Sequence, residues 1–158
     1  MDTYQAQQLA LDLMAEHGLD GWTFRFDGAK NRFGICRYGR REIGLSRPLT
    51  ALNGYDEVRD TILHEIAHAL TPGAGHGPRW KQMAARIGAK PDRCYDGATV
   101  NRPQAAWTGH CHNCDFTVDR HRLTETAKRG ACPKCCKRYN GGRFTEQYRL
   151  TWKRNSGG

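Results

Sequence analysis

Residues 64–68 read His64-Glu65-Ile66-Ala67-His68, and this string constrains the chain more than any other. Histidines at i and i+4 of a helix project from one face, close enough to hold a single zinc ion. The flanking residues ask for that helix. Val58, Ile62, Leu63, Ile66, Ala69 and Leu70 make an apolar stripe at helical spacing over Tyr55 to Leu70. Asn53 is the expected N-cap, and Asp56, Glu57 and Asp60 fall in the early turns, where the helix dipole favours acids. Thr71-Pro72-Gly73 stops the helix. The competing account is a helix with two surface histidines and no metal. Glu65 weighs against it, because it stands where a general base would take a proton from a water activated by the ion.

A catalytic zinc needs a third protein ligand. No glutamate occurs between Glu65 and Glu125, which removes a downstream helical carboxylate, and the position six residues after His68 is Ala74. His76 remains, presented by Gly73-Ala74-Gly75. Pro78 suits the first turn of a further helix, expected from Pro78 to Ile87 and closed by Gly88. A sharp reversal between the two helices would swing His76 back over the first pair. Three neutral imidazoles leave the fourth tetrahedral position for water.

A second metal signal lies in Cys111-His112-Asn113-Cys114 and Cys132-Pro133-Lys134-Cys135. The gap between these CxxC knuckles suits a zinc ribbon. Four thiolates from Cys111, Cys114, Cys132 and Cys135 would close the coordination shell, so this second zinc would be structural. His110, His112 and Cys136 crowd the knuckles and leave a ligand exchange open, while Cys36 and Cys94 read as ordinary reduced cysteines. Reduced thiols, the lack of a signal peptide and the lack of an apolar run near eighteen residues lead us to expect a soluble, cytoplasmic monomer with no membrane partner.

Charge divides the chain. Residues 1–100 hold 13 Lys and Arg against 12 Asp and Glu, whereas residues 101–158 hold 12 against 4. The basic half also carries Trp107, Phe116, Tyr139, Phe144, Tyr148 and Trp152. Cations there suit the phosphates of DNA or RNA, of either strandedness. The rings fit better as a small core than as stacking platforms.

The expected layout is α+β. A helix over Thr3 to His17 precedes strands at Trp22 to Phe26, Arg32 to Tyr38 and Arg41 to Ser46, the last two joined by a tight turn at Gly39-Arg40. The two helices of the histidine motif follow. A linker starting at Lys90-Pro91-Asp92-Arg93 runs to Pro103. The ribbon spans about Gln104 to Lys153 and ends in a strand carrying Phe144, Tyr148, Leu150 and Trp152 on one face, before a tail at Asn155 to Gly158. Two domains result, 1–100 and 101–158.

Arg41-Glu42-Ile43-Gly44-Leu45-Ser46, Thr61-Ile62-Leu63-His64-Glu65-Ile66-Ala67-His68-Ala69-Leu70 and Gly75-His76-Gly77-Pro78 together resemble the SprT-like zinc metalloproteases, a family that includes Spartan. The paired CxxC ribbon is similar to the C-terminal half of bacterial and phage members, which points to a bacterial cell or a phage-infected host. The resemblance covers most of residues 1–150. It implies a minimal zincin core followed by a small β zinc ribbon, and DNA-dependent cleavage of proteins, including proteins crosslinked to DNA. It also implies that His64, His68 and His76 hold the catalytic zinc and that Glu65 is the catalytic base. Arg79 departs from the acidic residue the family often places after GHGP; Trp80 follows it.

Tyr95, Arg79 and His110 are the candidates for a second oxyanion donor, and the strand near Ile43 to Ser46 is the candidate edge for an extended substrate. Two other functions stay open. One is a nucleic-acid-binding ribbon with an inactive protease core; the other is a zinc hydrolase of small amides or esters.

Overall fold

The computed structural model describes residues 1–91 and 100–156. Cys94, Tyr95 and most of the expected linker lie outside the described residues. The chain forms two compact units, Met1–Pro103 and Gln104–Gly158, and its architecture is α+β.

The first unit begins with helix α1, Thr3–Glu16. The Asp2 carboxylate accepts the Tyr4 N–H as N-cap, and Ala6, Ala10, Leu13 and Met14 form the buried face. Strands β1 (Thr23–Asp27), β2 (Gly34–Arg37) and β3 (Glu42–Ser46) make one sheet in the order β1-β3-β2. β3 runs parallel to β1 and antiparallel to β2. Every residue of β3 is buried, as the central strand of a covered sheet should be. Its one acid, Glu42, is held by Arg37 at 2.5 Å, and the same Arg37 reaches Asp27 at 3.1 Å. The reversal from β2 to β3 is a 3-10 turn, Tyr38–Arg40, followed by Arg41 in the left-handed region (φ 47°). It is therefore longer than the tight two-residue turn the sequence suggested.

A short helix not anticipated from sequence, α2 (Arg47–Leu52), follows directly. Ser46 caps it by accepting the Leu49 N–H, and Pro48 occupies its first turn. The long helix α3 spans Tyr55–Leu70 and buries Val58, Ile62, Leu63, Ile66 and Ala67. Its N-cap is Gly54, not Asn53. Asn53 is buried at the end of α2, where its side chain accepts the Asn101 N–H and donates to Leu49 O and Asn101 O. Those long-range bonds satisfy an amide that would otherwise lie unpaired in the core, and they outweigh local capping. Helix α3 packs on α1, β2 and β3, and α4 (Pro78–Arg86) packs on α3. The apolar core lies between the sheet and these helices.

The second unit has its own antiparallel sheet, β4 (Trp107–His110), β5 (Thr117–Arg120) and β6 (Thr151–Arg154), ordered β5-β4-β6. Helices α5 (Glu125–Lys128) and α6 (Pro133–Tyr139) lie between β5 and β6. The expected long last strand is shorter. Tyr148 sits in a 3-10 turn, Glu146–Tyr148, begun by Thr145, whose hydroxyl accepts the Gln147 N–H. That local bond competes with an extended ladder. Phe144 is exposed, so the expected four-residue face does not form. Gly109 of β4 is needed for close approach, since a Cβ there would meet the Trp152 ring at 3.0 Å. No helix among the described residues is long and apolar enough to cross a membrane.

Candidate active site and metal centres

His64 and His68 lie one turn apart on α3, and the loop after it brings in the third imidazole. Thr71 ends α3, with its hydroxyl donating to Ala67 O and its N–H to His68 O. Gly73 (φ 75°) and Gly75 (φ 55°) then take left-handed conformations that reverse the chain. His76 Nε2 comes to 3.1 Å from His64 Nε2 and 3.1 Å from His68 Nε2. Nitrogens about 2.0–2.1 Å from one tetrahedral zinc stand roughly 3.3–3.4 Å apart. The observed spacing is close to that figure, and the three nitrogens lie within mutual reach of one ion. The residues present therefore fit a zinc ion.

The surroundings favour neutral, ligating imidazoles. Burial and then the neighbouring rings push the His64 pKa down to about 4, and burial with His76 does the same for His68. Trp80 of α4 is fully buried beneath them, its ring centroid 4.7 Å from that of His64, 5.2 Å from His68 in a stacked arrangement, and 4.7 Å from His76. One indole thus touches all three rings.

Glu65 turns from α3 toward β2. Its carboxylate accepts the Cys36 backbone N–H, and burial raises its pKa to about 8 although Arg32 and that N–H pull it down. A zinc ion nearby would favour the carboxylate strongly. Gly34 makes the orientation possible: a Cβ there would stand 2.6 Å from Glu65 Oε1 and 2.8 Å from Thr61 Cγ2. The Cys36 thiol is pushed up to about 12 by burial and by Glu65, so it is a protonated, unreactive wall group. The Tyr38 hydroxyl donates to His68 O at 3.0 Å. Its pKa is raised by burial, Cys36 and Glu65.

These groups line an open cleft of about 440 Å³. One wall is β2, through Gly34, Ile35 and Cys36; the other is the Gly73–Gly75 loop. The sequence expectation that Ile43 to Ser46 supplies an open edge is corrected here. β3 is paired on both sides, and the edge facing the cleft belongs to β2.

In the second unit the four thiols of Cys111, Cys114, Cys132 and Cys135 cluster within reach of one ion. Cys111 and Cys135 Sγ lie 3.7 Å apart, and Cys114 and Cys132 Sγ 3.6 Å apart. Sulfurs about 2.3 Å from a tetrahedral zinc stand about 3.8 Å apart, whereas a disulfide would hold them at about 2.05 Å. The Asn113 N–H points to Cys111 Sγ, the Asn113 side-chain amide to Cys135 Sγ, and the Cys135 N–H to Cys132 Sγ. Such donors offset thiolate charge. Cys136 is buried outside the cluster, and His110 and His112 are exposed.

A family model for the SprT-like family matches residues 5–102. The chain belongs to the SprT-like family. Among SprT-like relatives, Protein SprT of Pseudomonas putida strain GB-1 is 23% identical over 124 residues, covering 72% of this chain and 74% of that protein. Protein SprT of Glaesserella parasuis is 27% identical over 111 residues, covering 65% of this chain and 71% of the relative. Germ cell nuclear acidic-1 protein of Caenorhabditis elegans is 30% identical over 98 residues, 53% of this chain but 18% of that longer protein. The SprT-like match takes in the three histidines, Glu65 and the β2 wall, and it ends before the cysteine cluster.

The oxyanion candidates fare differently within this SprT-like unit. Arg79 is exposed on the first turn of α4 and does not line the cleft. Tyr95 lies outside the described residues, and His110 is a β4 residue of the second unit. Two residues that sequence reasoning passed over, Gly34 and Tyr38, do border the site. Neither carries a sequence signal, because each acts through a partner about 30 residues away in the chain.

Proposed function

We propose that the chain is a zinc-dependent endopeptidase that cleaves proteins held on or crosslinked to DNA, with the basic cysteine unit as its DNA tether. The observation that carries this reading is the convergence of three Nε2 atoms beside a buried carboxylate, in a cleft bordered by a sheet edge. His64, His68 and His76 would hold the ion. Zinc bound there supplies a Lewis acid that polarises a peptide carbonyl and makes water acidic enough to lose a proton near neutral pH.

The remaining steps belong to the protein. The edge of β2 takes an extended peptide as an added strand, which grips main chain and leaves side-chain preference loose. Glu65 accepts a proton from water as its oxygen adds to the carbonyl carbon, and the carbonyl π pair moves onto oxygen. Glu65 then gives that proton to the departing amine as the C–N bond breaks. A tether raises local substrate concentration without new contacts at the site. The excess of basic residues after position 100 supports that role, as do the exposed rings of Tyr139 and Phe144 in the same unit. Arg138 stands over Tyr139 at 5.4 Å.

The test is cleavage of a DNA-bound protein by the wild type and by Glu65→Gln, with zinc measured in both. The expected outcome is DNA-stimulated cleavage by the wild type and loss of at least about 10³-fold in the variant at unchanged metal content. A variant as fast as the wild type would remove Glu65 from the chemistry. Cleavage indifferent to added DNA would remove the tether and leave the peptidase.

A further inference from the structure

We propose that Tyr38 is a catalytic residue of this cleft, donating its phenolic O–H to the oxyanion that forms when water adds to the scissile carbonyl. The proposal rests on the peptidase reading above. Carbonyl addition places a full negative charge on one oxygen, and a donor already in place lowers the barrier. Among the described residues lining the cleft, once the three histidines and Glu65 are assigned, Tyr38 carries the one hydroxyl. The other side chains there are Ile35 and Cys36; a protonated thiol is a weak donor.

The resting position of the phenol fits a mobile donor. Tyr38 is 42% exposed, on the 3-10 turn between β2 and β3. Its O–H rests on the His68 carbonyl at 3.0 Å, the backbone of a residue whose ring is one of the converging three. That carbonyl also accepts the Thr71 N–H at 3.0 Å. When the phenol swings into the cleft, the carbonyl keeps a partner, so release leaves no unpaired acceptor. The turn carries Tyr38 off the end of β2, the edge proposed to bind substrate, so peptide and donor come from adjoining backbone. No proton leaves the phenol. It gives a hydrogen bond while the water proton goes to Glu65 and onward to the amine.

The experiment compares Tyr38→Phe with the wild type as the zinc-loaded full chain. It records zinc content, melting temperature, kcat and KM on a peptide substrate, and affinity for a phosphinic peptide that mimics the tetrahedral adduct. The expected result is a kcat lower by about 10²-fold, within the range for loss of one oxyanion donor, with KM within about twofold. Zinc content and melting temperature stay unchanged, and the phosphinic peptide binds more weakly by a similar factor. A kcat within about threefold of wild type overturns the proposal and leaves the peptidase reading standing. So does a variant that loses zinc or melts early, because the phenol then serves only to anchor His68. A wild type that neither cleaves peptides nor binds the phosphinic peptide overturns both.

Discussion

The two candidate metal clusters sit in units of opposite construction. The histidine cluster is laid on a finished core. Ile43, Leu45, Leu49, Val58, Ile62, Leu63 and Ile66 are almost wholly buried, and none of them is a candidate ligand. In the cysteine unit the buried apolar residues are Cys111, Cys132, Cys135, Cys136, Tyr148 and Leu150, with a few half-buried neighbours. Three of those six are candidate ligands, so the cluster is half of the buried core. A small domain with little apolar surface to bury needs another source of stability. In the second unit an ion held by the four thiols would be that source; in the first it is packing. An ion held by the three histidines would thereby be released from holding the fold and be available for the proposed chemistry.

The sharpest way to break the comparison is Cys132→Ala. Cys132 is fully buried, faces Cys114 Sγ at 3.6 Å and caps α6. Structural zinc contributes on the order of 10 kcal/mol or more to folding in modules of this kind. The expected outcome is collapse of the second unit, seen as loss of its amide dispersion or as rapid proteolysis after about residue 104. The first unit should keep its cooperative melt. A chain in which both units unfold together would show that the first depends on the second, contrary to the contrast drawn here.

Gly34→Ala probes the join between core and site, with a smaller effect. The added methyl would meet Glu65 Oε1 at 2.6 Å and Thr61 Cγ2 at 2.8 Å, so Glu65 must leave its place against β2. Overpacking of this kind costs about 1–3 kcal/mol, and a displaced general base costs about 10²–10⁴-fold in rate. The expected variant is folded, binds zinc at the wild-type ratio and is nearly inactive. Calorimetric melting and a zinc assay read the first two properties, and peptide cleavage reads the third. Wild-type cleavage in a stably folded Gly34→Ala would mean that Glu65 does not need this position.

These cases also mark how far a sequence can be read. The His64, His68 spacing and the CxxC pairs are local patterns, and α3 and the knuckles are local structures, so chemistry and geometry could be inferred together. His76 needed one further step, the reversal that Gly73 and Gly75 make in left-handed conformations. Sheet order was not legible. Three consecutive strands suggest neighbours in sequence order, yet the chain from β2 returns between β1 and β2, which makes β3 central and leaves β2 as the edge strand that faces the cleft. The six-residue α2 was hidden because Pro48 and its short length give no periodicity. Asn53 misled for a related reason: its partner is Asn101, 48 residues away, and no local rule records such a bond. Tyr38 and Gly34 were invisible likewise, since each matters only through the helix that folds over it.

The smallest expected effect is the stability change on His76→Ala, and its sign is informative. His76 Nε2 stands 3.1 Å from both His64 Nε2 and His68 Nε2, and burial holds the pKa values of His64 and His68 low. A proton can bridge one such pair, but neutral rings cannot satisfy every contact, and opposed lone pairs repel. Holding three neutral imidazoles this close costs energy that a bound ion would offset, as is common at functional sites. Removing His76 relieves that repulsion and gives up packing against Trp80 at 4.7 Å. In chelator the two effects nearly cancel, and the variant should melt within about 0.5 kcal/mol of wild type, the range of an ordinary surface substitution. With zinc in excess the wild type gains stability through binding, by about 2.7 kcal/mol at a hundredfold excess over Kd, and the variant gains much less. The difference between the two melting shifts, measured with and without chelator, isolates the ion's contribution from that of the core. Equal shifts in wild type and variant would mean that His76 does not hold the ion, and the first unit would then lack the open-sided site on which the proposed chemistry depends.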